Sequence, residues 1–340
     1  MALDAISDLW VPAVWTAGIR EQLAKKASLL TSRAVVTSPT LAAFVAGPGQ
    51  TINIPHWKDL TDQADAIQAE NSATSTQVIG GNKQVAVALN RRTGNGIEAL
   101  AAMHTGNTAE SALENLFGAL AMRQAKQAQT ALVFALRGFC TTAASAIVLD
   151  IAEEDTDDTV DSTNYLDGDS IIDAAALLGE NSDVLEGGII MLHPVVEAAL
   201  RKQDSNAFVQ ASVDGGILLP TYRGMQIVRS SALTRAGTGS PATTVYETYI
   251  MSPGSIAYAA KPQSNRIGDT AALIMEGDGS KNQQALYDYT RFAIHANGMK
   301  WTGTPSGESP TNAELATSTN WALAFQSAAR CGFAQIISNG

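Results

Sequence analysis

The sequence predicts an α+β fold in two subdomains, and three observations point there. Apolar and alanine residues recur at steps of three or four between residues 107 and 138, the period of one long helix. The segment YTRFAIHANGMKW, residues 289–301, turns at Asn297-Gly298, a dipeptide that supplies the positive φ angles a two-residue hairpin needs. With 28 Gly, 11 Pro and only 6% aromatic residues, the composition suits sheets joined by many turns better than a helical bundle. At 340 residues and 45% hydrophobic, the chain can bury a substantial core.

Taken in order, residues 1–36 hold an amphipathic helix over 13–30. Ile19, Leu23 and Ala27 share one stripe, and Arg20, Lys25 and Lys26 lie on the exposed side. Trp10 and Trp15 flank Pro12, and two Trp near a terminus are expected to bury against something, here a neighbouring subunit. Residues 46–96 form a long hairpin with strands at 50–55 and 83–91, where Val85, Val87 and Leu89 alternate. Residues 58–84 are almost all polar or small, too poor in apolar groups for a core of their own. An isolated two-stranded ribbon is marginal in water, so this hairpin is expected to dock, with His56-Trp57 as anchors.

The helix over 107–138 opens with Asn107 and, three residues on, Glu110, much like a capping box. Leu113, Leu116, Phe117 and Leu120 begin its stripe; Ala121, Ala125, Ala128, Leu132 and Ala135 continue it, and Gly138 reads as a C-terminal stop. At ~1.5 Å per residue it is on the order of 45 Å long, and its alanine lining implies a close neighbour, expected to be a strand. Residues 150–265 read as an α/β unit: an acidic loop at 153–169, a helix at 170–178, a buried strand at 188–192 and a helix opening at His193-Pro194. Strand-rich stretches at 215–231 and 248–259 complete it. Residues 266–340 return to a sheet, and no internal repeat is present.

Charge is uneven. Residues 138–200 contain fourteen Asp and Glu and no Lys or Arg, leaving 22 basic against 19 acidic residues elsewhere. An acidic block of this kind is unsuited to gripping nucleic acid and reads first as a solvated face. Cys140 and Cys331 are far apart and fit no metal or redox spacing. The N-terminus lacks the pattern of a signal peptide, and no apolar run reaches a membrane span. The expectation is a soluble protein made in a cytoplasm.

Chemical motifs are weak. His193 and Glu197 stand four apart on a helix, a spacing that can share a metal, but a zincin adds a second His and a general base. With Pro194 next to it, His193 is expected to cap. His295 shares a strand face with Tyr287, Tyr289 and Arg291 and reads as a packed, hydrogen-bonded row. Asp155, Asp157 and Thr159 begin a calcium-loop spacing, but Val160 stands where Gly is required and Leu166 where Glu is. The G-x-G fragments at Gly47, Gly94 and Gly277 lack the rest of a dinucleotide fingerprint, and no phosphate loop or nucleophile elbow occurs. No catalytic, metal or cofactor site is expected.

The segments YTRFAIHANGMKW and SPTNAELATSTNWALAF (309–325) resemble the C-terminal part of the major capsid proteins of tailed double-stranded DNA bacteriophages. The phrases LHP (192–194), YRGMQIV (222–228) and SPGSIAYA (252–259) resemble strands of the same family's axial domain. The order of arm, extended loop and long helix is that of the Hong Kong 97-type capsid fold. The resemblance implies an N-terminal arm (1–45), an extended β-hairpin loop (46–96) and a peripheral domain (97–149) with a spine helix (107–138). An axial domain (150–265) and the C-terminal part of the peripheral domain (266–340) follow.

The resemblance also implies function. The chain would self-assemble into hexamers and pentamers of an icosahedral shell around packaged DNA, held non-specifically. Scaffolding, portal and decoration proteins are further implied partners, and the virion, assembled in the bacterial host cytoplasm, is the location. Trp10, Trp15, His56, Trp57 and Lys58 are the expected inter-subunit contacts. Arg20, Lys25, Lys26, Arg123 and Lys126 are expected to face inward, and the acidic block outward or around the capsomer axis. Some members of the fold join a loop Lys to a neighbour's Asn. Lys58 and Lys83 are available, but no catalytic acid is identifiable, so a non-covalent shell is expected. Two alternatives are an encapsulin-like nanocompartment and a metal-dependent hydrolase using His193 and Glu197.

Overall fold

The structure is a computed structural model; it describes residues 29–30, 32–58, 80–98, 109–155, 160–180, 184, 187–204, 207–209, 220–240, 242–262, 273–278 and 283–340. In chain order, strand β1 (Val35–Thr37) and helix α1 (Pro39–Ala46) precede the hairpin strands β2 (Thr51–Trp57) and β3 (Gly81–Val87). Strand β4 (Leu89–Glu98) and the long helix α2 (Ala109–Thr142) follow, then β5 (Val148–Asp150), α3 (Gly168–Ala176), β6 (Ile189–Leu192) and α4 (Pro194–Gln203). Five short strands come next: β7 (Phe208–Val209), β8 (Thr221–Tyr222), β9 (Met225–Arg229), β10 (Thr234–Ala236) and the longer β11 (Thr244–Met251). The chain ends with β12 (Ile256–Pro262), β13 (Leu273–Asp278), β14 (Gln283–Ala296), β15 (Met299–Trp301), α5 (Asn312–Ala316), β16 (Trp321–Leu323) and β17 (Phe333–Ser338).

These strands form three sheets. One has the order β1-β12-β14-β13, with β4 along the other edge of β14. A second, of eight strands, runs β5-β17-β11-β6-β9-β8-β7, with β10 on β11. The third, of four strands, runs β16-β15-β3-β2. The predicted strand at 83–91 is one run of chain that serves two sheets. It breaks at Ala88: β3 pairs antiparallel with β2, and β4 pairs antiparallel with β14. The predicted division at 265/266 does not coincide with sheet membership, because β17 pairs with β11 and β5 while β12 pairs with β14 and β1.

Helix α2 runs through Gly138 to Thr142, so Gly138 is not a stop. A Cβ there would lie 2.3 Å from the Leu315 carbonyl oxygen and 3.0 Å from the Trp321 ring. The glycine is what lets α5 and its following turn approach the helix. The close neighbour expected for the alanine lining is therefore partly helical. Trp321 donates from Nε1 to Leu315 O (2.7 Å) and meets Trp301 edge to face at 4.9 Å, closing this contact.

The Asn297-Gly298 turn also departs from expectation. Gly298 has φ +81°, but Asn297 is not among the positive-φ residues, so the doubly left-handed hairpin turn is not formed. The turn instead carries the chain from β14 in one sheet to β15 in another. Its polar groups explain the change: Gly298 N–H donates to Gln84 Oε1 (3.1 Å), and Ala324 N–H donates to Gly298 O (2.8 Å). The Ser-Pro-Thr-Asn loop is held by β4. Arg91 donates to Ser309 Oγ (3.1 Å) and to Pro310 O (2.9 Å), and Thr311 with Glu314 forms a capping box at α5.

The main core surrounds the C-terminal half of α2. Leu132, Leu136 and Phe139 are fully buried and share one apolar cluster with Val85 and Val87 of β3, Ile190 of β6, Tyr249 of β11 and Phe333 of β17. A smaller cluster under α1 joins Leu41 and Val45 to Ala86, Ala259 and Ala293.

Candidate assembly surfaces

Two ionic locks fix the eight-stranded sheet. Glu247 on β11 is buried, and its carboxylate receives Arg137 of α2 at 2.8 Å, with Arg235 at 3.5 Å. Arg137 also donates to the Ala232 and Thr234 carbonyls (both 3.3 Å), so the spine of the molecule is tied to this sheet by charge as well as packing. A buried charge needs such partners. Glu197 is the second. Arg229 and Arg201 both hydrogen-bond its carboxylate and hold it below the usual carboxylate range.

That second lock bears on the metal alternative at His193 and Glu197. His193 caps α4, its Nδ1 accepting from Val195 N–H (3.2 Å), and burial lowers its pKa. Glu197 faces two guanidiniums rather than His193. No group of three metal-ligating side chains occurs among the described residues. His295 is buried, donates from Nε2 to Gln84 Oε1 (3.0 Å) and is pushed down to about 4 by burial; it is packed and hydrogen-bonded, with its partner on β3 rather than in the row of its own strand. In the acidic loop, Asp161 caps a 3-10 turn (Ser162–Asn164), Asp167 caps α3, and Glu154 pairs with Arg235 at 2.6 Å.

The outer surfaces are different in kind. On β2 the burial alternates between half-buried and exposed, with no fully buried residue. This strand ends its sheet, and Pro55 removes one donor from the free edge. At the far end of the strand Trp57 is 75% exposed, the largest value among the described large apolar side chains. His56 is half-buried, with its ring edge-on to Phe325 at 5.2 Å. Lys58 N–H donates to Gly80 O (2.8 Å), which closes the hairpin neck. Together His56, Trp57 and Lys58 form one wall of a cleft of about 350 Å³ whose other wall is Phe325, Gln326 and Arg330.

Arg123 and Lys126 are exposed on α2 and share a cleft of about 420 Å³ with Met122, Gln129, Arg229 and Ser230. Gln129 donates to the Arg229 carbonyl (2.7 Å), which fixes the helix against β9 there. Trp10, Trp15, Arg20, Lys25 and Lys26 lie outside the described residues, as do 59–79 of the hairpin and Asn107. Sequence reasoning missed Phe325, Arg330 and Arg229. None carries a local signal, because each reaches its cleft through pairing distant in the chain.

Comparison with known proteins adds what geometry alone does not. No family model matches the chain. Over 329 residues it is 26% identical to the major capsid protein of Bacillus phage SPP1, covering 94% of each chain. The capsid of Ralstonia phage GP4 superposes with a TM-score of 0.60 at 10% identity, over 92% of this chain and 91% of that one. Along nearly its whole length the chain is similar to a phage major capsid protein, and its fold is the Hong Kong 97-type capsid fold. The resemblance read from the C-terminal segments is thus borne out. An encapsulin complex of Synechococcus elongatus PCC 7942 shares the fold with a TM-score of 0.50 at 11% identity, covering 92% of this chain and 86% of that one.

Proposed function

We propose that this capsid protein assembles into hexamers and pentamers of a closed icosahedral shell that encloses double-stranded DNA in the virion. The observation that carries the proposal is the match to a phage major capsid protein along nearly the whole chain, supported by a capsid fold over the same span. The eight-stranded sheet serves as the axial domain, and α2 with the β14 sheet as the peripheral domain. The hairpin from β2 to β3 is the extended loop, and Trp10, Trp15, His56, Trp57 and Lys58 contact neighbouring copies. Arg123 and Lys126 face the interior together with Arg20, Lys25 and Lys26, while the acidic 138–200 block faces outward. The surfaces suit this division: the acidic segment carries the Asp161 and Asp167 caps and the Glu197 lock of one sheet, and the basic cleft lies on α2.

Each contact is weak alone and gains from repetition under closed symmetry. The shell is non-covalent and has no catalytic activity. Scaffolding, portal and decoration proteins are the further partners of such a shell. Electron microscopy of the purified protein tests the proposal. Closed particles are expected, and a stable monomer at high concentration under all assembly conditions would overturn it. A ladder of covalent multimers on denaturing gels would overturn the non-covalent part.

The encapsulin fold likeness supports a second reading, a shell around protein cargo. Particles purified from cells that contain nuclease-protected DNA favour the first reading; particles containing an enzyme favour the second.

A further inference from the structure

Asparagine is chemically labile, most of all before glycine, where no Cβ keeps the next backbone nitrogen from the side-chain carbonyl carbon. The chain holds three such dipeptides: Asn95-Gly96, Asn297-Gly298 and Asn339-Gly340. Their settings differ. Asn95 lies inside β4, opposite Leu286 of β14. Asn339 has its amide locked at both ends: Glu153 N–H donates to its Oδ1 (2.6 Å), and its Nδ2 donates to the Glu153 carbonyl (2.8 Å). Asn297 is exposed, and among the described residues its side-chain amide has no hydrogen-bond partner.

What restrains Asn297 is its neighbour. Gly298 is buried, and its N–H, the group that would have to attack, donates to Gln84 Oε1 (3.1 Å). The same oxygen receives His295 Nε2 (3.0 Å), so the buried Gln84 amide is pinned by two donors. Gly298 O accepts from Ala324 N–H (2.8 Å), and a Cβ at Gly298 would lie 2.5 Å from Cys331 Sγ. The glycine is bonded through both its backbone polar groups and packed closely, which leaves its nitrogen little room to swing toward the Asn297 side chain.

We propose that Asn297 is a deamidation site of this chain and that Gln84 guards it. When the seam between β14 and β3 opens, the Gly298 nitrogen gives its proton to a solvent base and bonds to Asn297 Cγ. The Cγ–Nδ2 bond breaks, and the amide nitrogen takes up a proton and leaves as ammonia. Water then opens the cyclic imide at either carbonyl, giving aspartate or isoaspartate. Either product places a carboxylate on the link between β14 and β15, and isoaspartate also adds a methylene to its backbone. A link bonded on both sides of Gly298 cannot lengthen and keep both bonds. Gln84 therefore acts as a positioning residue that preserves the junction of two sheets by occupying the attacking N–H.

The test uses the full-length chain in mildly alkaline buffer. Conversion at each Asn-Gly is read by peptide mass spectrometry, and isoaspartate by enzymatic methylation. In the unsubstituted chain, Asn297 should convert roughly fivefold or more faster in urea than when folded, since unfolding frees the N–H altogether. Equal rates would overturn the proposal. In the folded chain, Q84A should raise conversion at Asn297 about fivefold, the factor one hydrogen bond is worth, with Asn95 and Asn339 unchanged. Q84E keeps an acceptor and should return the rate toward that of the unsubstituted chain. An unchanged Asn297 rate in folded Q84A, or an equal rise at Asn95 and Asn339, would overturn the role given to Gln84.

Discussion

Strands β2 and β17 are similar in length and end up in opposite circumstances. β17 is buried at all six positions, between β11 and β5 within the sheet and under the main apolar cluster. β2 ends its sheet, buries none of its residues fully and leaves Trp57 three-quarters exposed. The ordering entropy of β17 is offset inside its own chain, and that of β2 is offset there only in part. One strand is satisfied within its own chain, and the other, on the proposed reading, is half of a contact.

The comparison breaks most visibly by emptying the buried side. Phe333→Ala should destabilise the free subunit by about 3–5 kcal/mol, the range for deleting a buried aromatic ring, read as a fall in the urea midpoint. A change smaller than about 1 kcal/mol would mean that β17 is not part of the core of the subunit.

The seam between the two regions gives the next effect. His295 on β14 meets Gln84 on β3 and titrates at about 4 when folded, against 6.5 ordinarily. A depressed pKa means that the folded state resists taking up the proton. Its stability is fully present above pH 6.5, falls as pH drops through 6.5 toward 4, and by then has lost about 3 kcal/mol. His295→Gln should flatten that part of the pH profile in urea titrations. An unchanged slope between pH 6.5 and 4 would place the acid sensitivity elsewhere.

A smaller effect is expected at Gly138. Alanine is favoured over glycine in a helix by about 1 kcal/mol. Against that, the added Cβ would sit 2.3 Å from the Leu315 carbonyl, and overpacking of this kind costs about 1–3 kcal/mol. Gly138→Ala should therefore lower the melting temperature of the subunit; a rise would show that the α5 segment moves aside freely.

The long helix was legible in the sequence because its signal is local: the 3.6-residue period survives whatever packs against it, and α2 lies where the stripe places it. The His193 cap was legible for the same reason. Gly138 was misread because the cause of the glycine is Leu315, far along the chain. Asn297-Gly298 was misread because Gln84 and Ala324 bond the turn from outside and send its strands to different sheets. Ala88 carries no breaker chemistry, yet the chain changes sheets there. Of the site, His56-Trp57 could be singled out from the polar stretch that follows, whereas Phe325 and Arg330 join them only through β2, β3, β15 and β16 pairing side by side.

The central claim, that the hairpin neck is completed by another copy, is tested most directly by Trp57→Ala. The account predicts a free subunit whose unfolding changes by less than about 0.5 kcal/mol, together with reduced particle formation, or lower heat resistance of the particles formed, in sedimentation and electron microscopy. A variant that unfolds the free subunit while its shells assemble and withstand heat as before would contradict it.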